Sequence, residues 1–185
     1  MNTATASGSV WSARRPKISA ALVLLAAAWL VPFLVHLVPW HGERPLGVYL
    51  LPVFWTTLVA VQLYGVGFAL AVGLVTPLVN LALTGLPAAA RIGPMAVEVV
   101  GFVLVSGWLA RKAPRFFLAA PLAYAAGKAL AIGVQWTVPV FDYTRDPAAH
   151  LLASLQNGLA GLVILTLINL GLVWWARRRK DRDAE

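Results

Sequence analysis

Six long apolar runs, each long enough to cross a lipid bilayer, dominate the sequence. A transmembrane helix needs about 20 mostly apolar residues to span a hydrocarbon core roughly 30 Å thick. The runs cover residues 18–40, 46–64, 66–83, 92–110, 116–141 and 151–176. They are too long and too uniformly apolar to be the alternating strands of a membrane β-barrel. The sequence therefore predicts an all-α integral membrane protein with six transmembrane helices.

The composition excludes the soluble alternatives. Hydrophobic residues make up 60% of the chain and charged residues only 12%, whereas soluble domains are typically about 45–50% apolar and about 25% charged. A cytosolic globular enzyme and a disordered chain are therefore excluded. The absence of cysteine excludes a disulfide scaffold and thiolate metal sites. The first run is too long for a cleaved signal peptide, and no small-residue cleavage site follows it.

Short turn-forming segments separate the runs, and the shortest is a single glycine. Gly65 alone lies between the second and third runs. Glycine accepts positive φ without steric cost, so we expect a tight turn between two antiparallel helices here. The other breaks are polar or proline-rich, and they lie at residues 41–45, 84–87, 111–115 and 142–147.

The basic residues are distributed asymmetrically between the two sides of the predicted bundle. Eleven of the fifteen lysines and arginines fall on the side that holds both termini, three fall on the other side, and Lys128 lies inside a run. The positive-inside rule therefore places both termini in the cytoplasm, and the net charge of +8 reports topology and no nucleic-acid partner. We expect a cytoplasmic tail over residues 1–17, a six-helix domain over residues 18–176, and a basic and acidic cytoplasmic tail over residues 177–185. The basic residues 177–180 also suit an anionic lipid surface.

Polar side chains inside the runs share a similar depth, in the half of the bundle away from the termini. They come from four different helices and comprise Asn80, Glu98, Gln135, Gln156 and Asn157. Ionisable groups within a membrane normally face a partner or a cavity, so the cluster predicts a pocket open to the outside. The alternative is a set of interhelical hydrogen bonds, each worth about 0.6 kcal/mol. Three alternatives are open for Glu98 and Lys128: they form an internal ion pair, Glu98 contacts a ligand, or Lys128 reaches towards the cytoplasmic side.

Small residues recur every four positions on two of the runs and predict close helix packing. The first stripe comprises Ala119, Ala123, Gly127 and Ala131, and the second comprises Ala153, Asn157 and Gly161.

No sequence motif indicates catalysis. The chain has no phosphate-binding loop, no nucleophile elbow and no metalloprotease helix, so we predict neither an enzyme nor a cofactor. A less favoured hypothesis is a membrane-embedded enzyme that uses Glu98 and a histidine. The three histidines lack ligand spacing, and for a metal or axial-ligand role His36 and His41 are better placed than His150.

Two stretches of the chain resemble a known transporter family. Residues 50–55 read Leu-Leu-Pro-Val-Phe-Trp, and residues 76–87 end in Thr-Gly-Leu-Pro, with Glu98 early in the next run. This pattern resembles the substrate-binding S components of energy-coupling factor (ECF) vitamin transporters, and in particular the solitary cobalamin type. The resemblance implies six helices, cytoplasmic termini and an outward-facing pocket in the plasma membrane.

The same resemblance implies a transport function and a partner. An S component binds a vitamin with high affinity and docks on a module of one transmembrane coupling protein and two ATPases. The Ala-x-x-x-Ala docking motif of the family is interrupted here. Leu24 occupies the position four residues after Ala20, and Leu25 the position four residues after Ala21, where the motif has alanine. This departure leaves open a solitary S component that works without the module.

The resemblance also implies which residues lie nearest the ligand. These are Trp55, Asn80, Arg91, Glu98, Gln135, Trp136, Tyr143, Arg145 and Asn157. Aromatic rings suit a planar conjugated ligand, and Arg91 or Arg145 suits a carboxylate or phosphate. A cobalamin or related corrinoid is the leading substrate. Solitary cobalamin S components ligate cobalt through a cysteine, so Asn80, His36 or His41 would replace it here. The alternative function is a small membrane scaffold or assembly subunit without a ligand.

Overall fold

The computed structural model describes residues 18–138 and 146–182, apart from the side chains of residues 180 and 182, and these residues contain helices and no strand. The helices are α1 (Ile18–Leu37), α2 (Leu46–Leu50), α3 (Pro52–Tyr64), α4 (Val66–Thr84), a 3₁₀ turn (Ala89–Arg91), α5 (Ile92–Lys112), α6 (Ala119–Thr137), α7 (Pro147–Asn157) and α8 (Leu159–Arg182).

Five helical segments within the described residues are long and apolar enough to cross a membrane. They are Ile18–Leu37, Leu46–Tyr64, Val66–Thr84, Ala89–Lys112 and Leu159–Arg179. This confirms an all-α chain with the character of a multi-pass membrane protein. The fifth predicted run forms α6, which carries Lys128 and Gln135 and is absent from the set of five. Six crossings and their direction therefore remain predictions.

Two of the predicted runs are interrupted in the structure. Leu51 has a φ of 55° and separates α2 from α3. Pro52 follows it, and proline disfavours a helical conformation at the residue before it while fitting the first turn of a new helix. The sixth run is likewise divided, because Gly158 lies between α7 and α8.

The predicted turn at Gly65 is confirmed. Gly65 has a φ of 85° and joins α3 directly to α4, so these helices form an antiparallel hairpin. Gly85, with a φ of 72°, ends α4 in the left-handed conformation that glycine tolerates best. We refer to the two ends of the bundle as the Gly65 end and the Gly85 end. Helices α1, α4 and α6 run towards the Gly85 end, and α3, α5 and α8 run away from it.

The core lies between α3, α4, α5 and α6, and aromatic rings fill its centre. The Phe54 ring packs edge-on against Phe102 and Tyr124, with centroids 5.0 and 5.1 Å apart. Leu58 and Val99 are fully buried beside this group. Helix α1 is peripheral, because Ala28 and Pro32 are its only buried residues.

Helices α5 and α6 approach so closely that their glycines touch. A Cβ atom on Gly101 would lie 2.8 Å from the Gly127 Cα, and one on Gly127 would lie 2.5 Å from the Glu98 carbonyl oxygen. Ala119, Ala123 and Ala131 are buried along the same face of α6, which confirms the packing predicted for this stripe. In the second stripe, Gly161 lies against the Leu50 carbonyl of α2, at 2.7 Å from a Cβ built there.

Candidate functional site

Glu98 of α5 and Lys128 of α6 form an ion pair close to the glycine crossing. Lys128 Nζ lies 2.5 Å from Glu98 Oε1, and the two side chains are 16% and 14% exposed respectively. The pair forms here because α5 and α6 lie so close together that the Lys128 side chain reaches the shorter Glu98 side chain. Pairing reduces the cost of removing both charges from water. The structure thus supports the ion-pair alternative.

Asn80 is buried on α4 with only half of its amide satisfied. The side chain is 1% exposed, and Nδ2 donates to the Thr76 carbonyl of its own helix at 2.9 Å. Its Oδ1 atom has no hydrogen-bond partner. Buried polar atoms are almost always paired, so an unpaired acceptor requires an explanation. Asn80 does not tie α4 to another helix through any hydrogen bond in the described structure.

Unpaired polar atoms are more frequent at the Gly85 end. Five buried side-chain atoms of the described residues lack a partner. Asn80 Oδ1, Trp55 Nε1 and His36 Nδ1 belong to residues in the halves of α4, α3 and α1 that lie nearer the Gly85 end. The other two, Gln62 Oε1 and Ser106 Oγ, lie towards the Gly65 end. Both an acceptor and donor-capable groups are therefore available on three helices near Gly85.

The other predicted ligand residues occupy the same end but are dispersed. Gln135 is buried on α6, and Asn157 is half-buried at the last position of α7. Trp136, Arg91 and His41 are exposed. Tyr143 and Arg145 lie outside the described residues. Among all these side chains, the structure joins Glu98 to Lys128 by a direct contact, and no hydrogen bond joins Asn80 to Gln135 or to Asn157 in the described structure.

Positive charges surround His150 in the first turns of α7, outside the five apolar segments. Burial is the main cause that lowers the pKa of His150, followed by the positive charges of Lys128, Arg91 and Arg44. These cations come from α6, from the 3₁₀ turn and from the segment before α2. Asp146 is engaged locally, since its Oδ1 accepts the backbone N–H groups of Ala148 and Ala149 as the cap of α7.

A polar residue that the sequence analysis did not single out organises the Gly65 end. Asn169 of α8 is 1% exposed, and its Nδ2 donates to the carbonyls of Phe116 and Phe117, each at 3.0 Å. Its Oδ1 accepts Gln62 Nε2 at 3.4 Å. Asn169 therefore links α8 to α3 and to the turn that enters α6. An asparagine within an apolar run was the available signal.

Two cavities on the described surface lie away from the predicted ligand residues. One, of about 390 Å³, lies between α1 and α3 and is bordered by Val23, Ala27 and Leu63 among others. The other, of about 430 Å³, lies at the end of α8. Among the residues that the structure describes, no group of three or more histidine, aspartate or glutamate side chains could hold a metal ion.

No protein-family model, curated protein or solved structure was found to be similar to this chain. The family resemblance in residues 50–55 and 76–98 consequently stays an expectation drawn from the sequence.

Proposed function

We propose that this protein binds a vitamin or vitamin-like micronutrient with high affinity and takes it up across the plasma membrane as the S component of an ECF-type transporter. The carrying observation is the group of unpaired buried polar atoms near Gly85, namely Asn80 Oδ1, Trp55 Nε1 and His36 Nδ1. A ligand would supply the hydrogen bonds that the protein leaves unmade there. In a helix bundle that binds no ligand, we would expect these polar atoms to be hydrogen-bonded within the protein or the residues to be apolar.

The charge distribution supports an extracellular position for this end. By the sequence prediction, three basic residues (Arg44, Arg91 and Arg145) fall on the side opposite the termini, whereas eleven fall on the side that holds the termini. The positive-inside rule then directs the Gly85 end outwards, where a nutrient arrives. The interrupted docking motif on α1 is compatible with two modes of uptake. In one, the protein couples to a module of a transmembrane coupling protein and two ATPases, and in the other it works without this module.

A cobalamin or related corrinoid is the leading substrate. Its cobalt accepts an axial nitrogen or oxygen ligand, and the chain contains no cysteine to provide sulfur. Two of the three replacement residues have an atom available to ligate cobalt, since His36 Nδ1 and Asn80 Oδ1 lack hydrogen-bond partners. Imidazole nitrogen is the more common metal ligand of the two, so His36 is the better axial candidate.

A binding experiment with the full chain tests this proposal. The purified protein, in detergent or in lipid nanodiscs, is titrated with a panel of vitamins that includes cobalamin, and binding is followed by calorimetry and by the corrin absorption spectrum. We expect one vitamin to bind with submicromolar affinity. Asn80→Ala should weaken that binding at least about tenfold. This loss corresponds to one hydrogen bond to a charged group or to more than one hydrogen bond between neutral groups. If no vitamin binds to well-folded protein, the proposal is wrong.

Thr166→Val provides a matched control for Asn80→Ala. The Thr166 hydroxyl donates to the Leu162 carbonyl of its own helix at 2.8 Å, as Asn80 donates to Thr76, but it lies on α8, which runs away from the Gly85 end. We expect this variant to bind the vitamin with unchanged affinity. An equal loss in both variants would indicate that Asn80 acts through the stability of the bundle.

A second function, a membrane scaffold or assembly subunit without a ligand, is favoured by a different observation. The Gln62–Asn169 hydrogen bond and the Glu98–Lys128 ion pair both join neighbouring helices, as polar residues with a purely structural role would. This function predicts a stable complex with another membrane protein and no thermal stabilisation by any member of the vitamin panel.

A further inference from the structure

The last turns of α8 carry two tryptophan–arginine pairs. Arg178 Cζ lies 3.9 Å from the ring centroid of Trp174, and Arg179 Cζ lies 5.2 Å from that of Trp175. Each pair spans four positions, the spacing at which side chains meet on one helix face. Stacking on the ring holds a guanidinium in place while its N–H edge stays available. The pairs therefore present oriented hydrogen-bond donors.

These pairs lie where the apolar part of α8 ends. The segment able to cross a membrane ends at Arg179, and the Trp174 and Trp175 side chains are 55% and 40% exposed. Indole rings favour the boundary between hydrocarbon and lipid headgroups. The guanidinium groups one turn further along are then level with the lipid phosphates.

A shallow cavity of about 430 Å³ joins these residues to an acidic side chain. It is lined by Trp174, Trp175, Arg178 and Asp181. We propose that it binds the headgroup of an anionic phospholipid with a single negative charge. The Arg178 guanidinium donates to two phosphate oxygens, and the Asp181 carboxylate accepts a hydrogen bond from a headgroup hydroxyl. Because Asp181 repels further negative charge, a phosphodiester such as phosphatidylglycerol is preferred to doubly ionised phosphatidate.

The surrounding charge attracts the membrane surface but does not by itself define the site. Residues 177–182 contain five basic residues and one acidic residue, so anionic lipid accumulates near this end in any case. What distinguishes Arg178 from its neighbour Arg177 is the stacked ring and the cavity that Arg178 lines. Arg177 carries the same charge and has neither feature in the described structure, which makes it the matched control.

Lipid retention by the full chain tests the site. The protein is prepared in detergent with phosphatidylglycerol, phosphatidylcholine or phosphatidate, and bound lipid is measured by native mass spectrometry. We expect phosphatidylglycerol to bind at least about tenfold more tightly than phosphatidylcholine. Arg178→Gln should weaken it at least about tenfold and Arg177→Gln about fivefold or less, the loss of one surface charge. Trp174→Leu, which preserves the charge, should weaken it about threefold.

Several outcomes would overturn the proposal. Equal losses in Arg178→Gln and Arg177→Gln would reduce the site to general electrostatic attraction. Displacement of the lipid by millimolar inorganic phosphate would indicate a site for the free ion, and tighter binding of phosphatidate would contradict the role of Asp181. Thermal unfolding in phosphatidylcholine, where we expect all three variants to match the unaltered protein, verifies that each one is folded.

Discussion

Two buried asparagines at opposite ends of the bundle use their amides in different ways. Asn169, near the Gly65 end, bonds to Gln62 and to the carbonyls of Phe116 and Phe117, which lie in other parts of the chain. Asn80, near the Gly85 end, donates only to Thr76 on its own helix and leaves Oδ1 unpaired. Both side chains are 1% exposed, so burial does not distinguish them.

A buried polar residue in an apolar helix therefore indicates a function only once its hydrogen-bond partners are known. The Asn169 bonds join three parts of the bundle, and only Gln62 Oε1 is left unpaired in this group. The Asn80 bond links two residues one turn apart in α4, so it does not hold α4 to another part of the described structure. The Gln62–Asn169 group therefore joins parts of the bundle, whereas Asn80 retains an unused hydrogen-bond acceptor.

The largest expected effect follows from separating the charges at the Gly85 end. Lys128→Met leaves Glu98 without its partner inside the bundle, and breaking a buried ion pair in this way costs about 3 kcal/mol. Glu98→Gln combined with Lys128→Met should recover most of that loss. Denaturant unfolding in detergent measures both. A cost below about 0.5 kcal/mol for Lys128→Met would show that the pair is effectively solvated.

Close packing between α5 and α6 is tested by adding a single methyl group. Gly127→Ala places a Cβ atom 2.5 Å from the Glu98 carbonyl oxygen and 2.8 Å from the Phe102 nitrogen. Because backbone atoms must move to admit it, we expect a loss of about 2 kcal/mol in the free energy of unfolding.

Gly133→Ala is the matched control on the same helix. A Cβ atom there meets nothing within 4 Å, and alanine is the better helix former, so stability should be unchanged or higher by about 0.5–1 kcal/mol. Equal destabilisation by the two substitutions would indicate that α6 tolerates no alanine for reasons other than the crossing.

The two asparagines themselves provide the third test. Asn169→Leu removes three hydrogen bonds and should lower the free energy of unfolding by about 2 kcal/mol. Asn80→Leu removes one local bond and an unpaired acceptor, so we expect a change within about 0.5 kcal/mol, together with the loss of vitamin binding. If Asn80→Leu destabilises the bundle as much as Asn169→Leu, the functional distinction between the two ends is wrong.

The smallest effect concerns pH. The pKa of His150 lies below 6.5 in the folded protein because of burial and the nearby Lys128, Arg91 and Arg44 charges. The unfolded chain therefore takes up this proton first on acidification, and the stability of the fold falls as the pH drops below about 6.5. His150→Gln should flatten this part of the profile of unfolding temperature against pH. An unchanged slope between pH 7 and pH 5 would assign the acid sensitivity to other groups.

Much of the fold follows from hydrophobic length, and the exceptions lie at particular backbone positions. The predicted runs correspond to helices in the described structure, and Gly65 makes the expected turn. The break at Leu51 was not predicted, because a left-handed leucine before a proline has no composition signal within an apolar run. The division at Gly158 was missed for a similar reason, since one glycine inside a membrane helix is common.

The site was less predictable than the fold, because it depends on which partner each side chain meets. The ion pair between Glu98 and Lys128 was one of three alternatives, because helix direction gives the approximate depth of each group and not the partner that it meets. The bonds of Asn169 to Phe116 and Phe117 depend on the rotation of α8 about its axis, which an apolar run of almost uniform hydrophobicity does not specify.

The contact between Gly101 and Gly127 constrains how the protein can change shape. Because neither glycine has a side chain, the backbones of α5 and α6 are in direct contact at this crossing, and we expect the two helices to move together. We expect any change of shape to occur where other helices pack against this pair. We expect the peripheral α1, of which only Ala28 and Pro32 are buried, to be the helix that moves most readily.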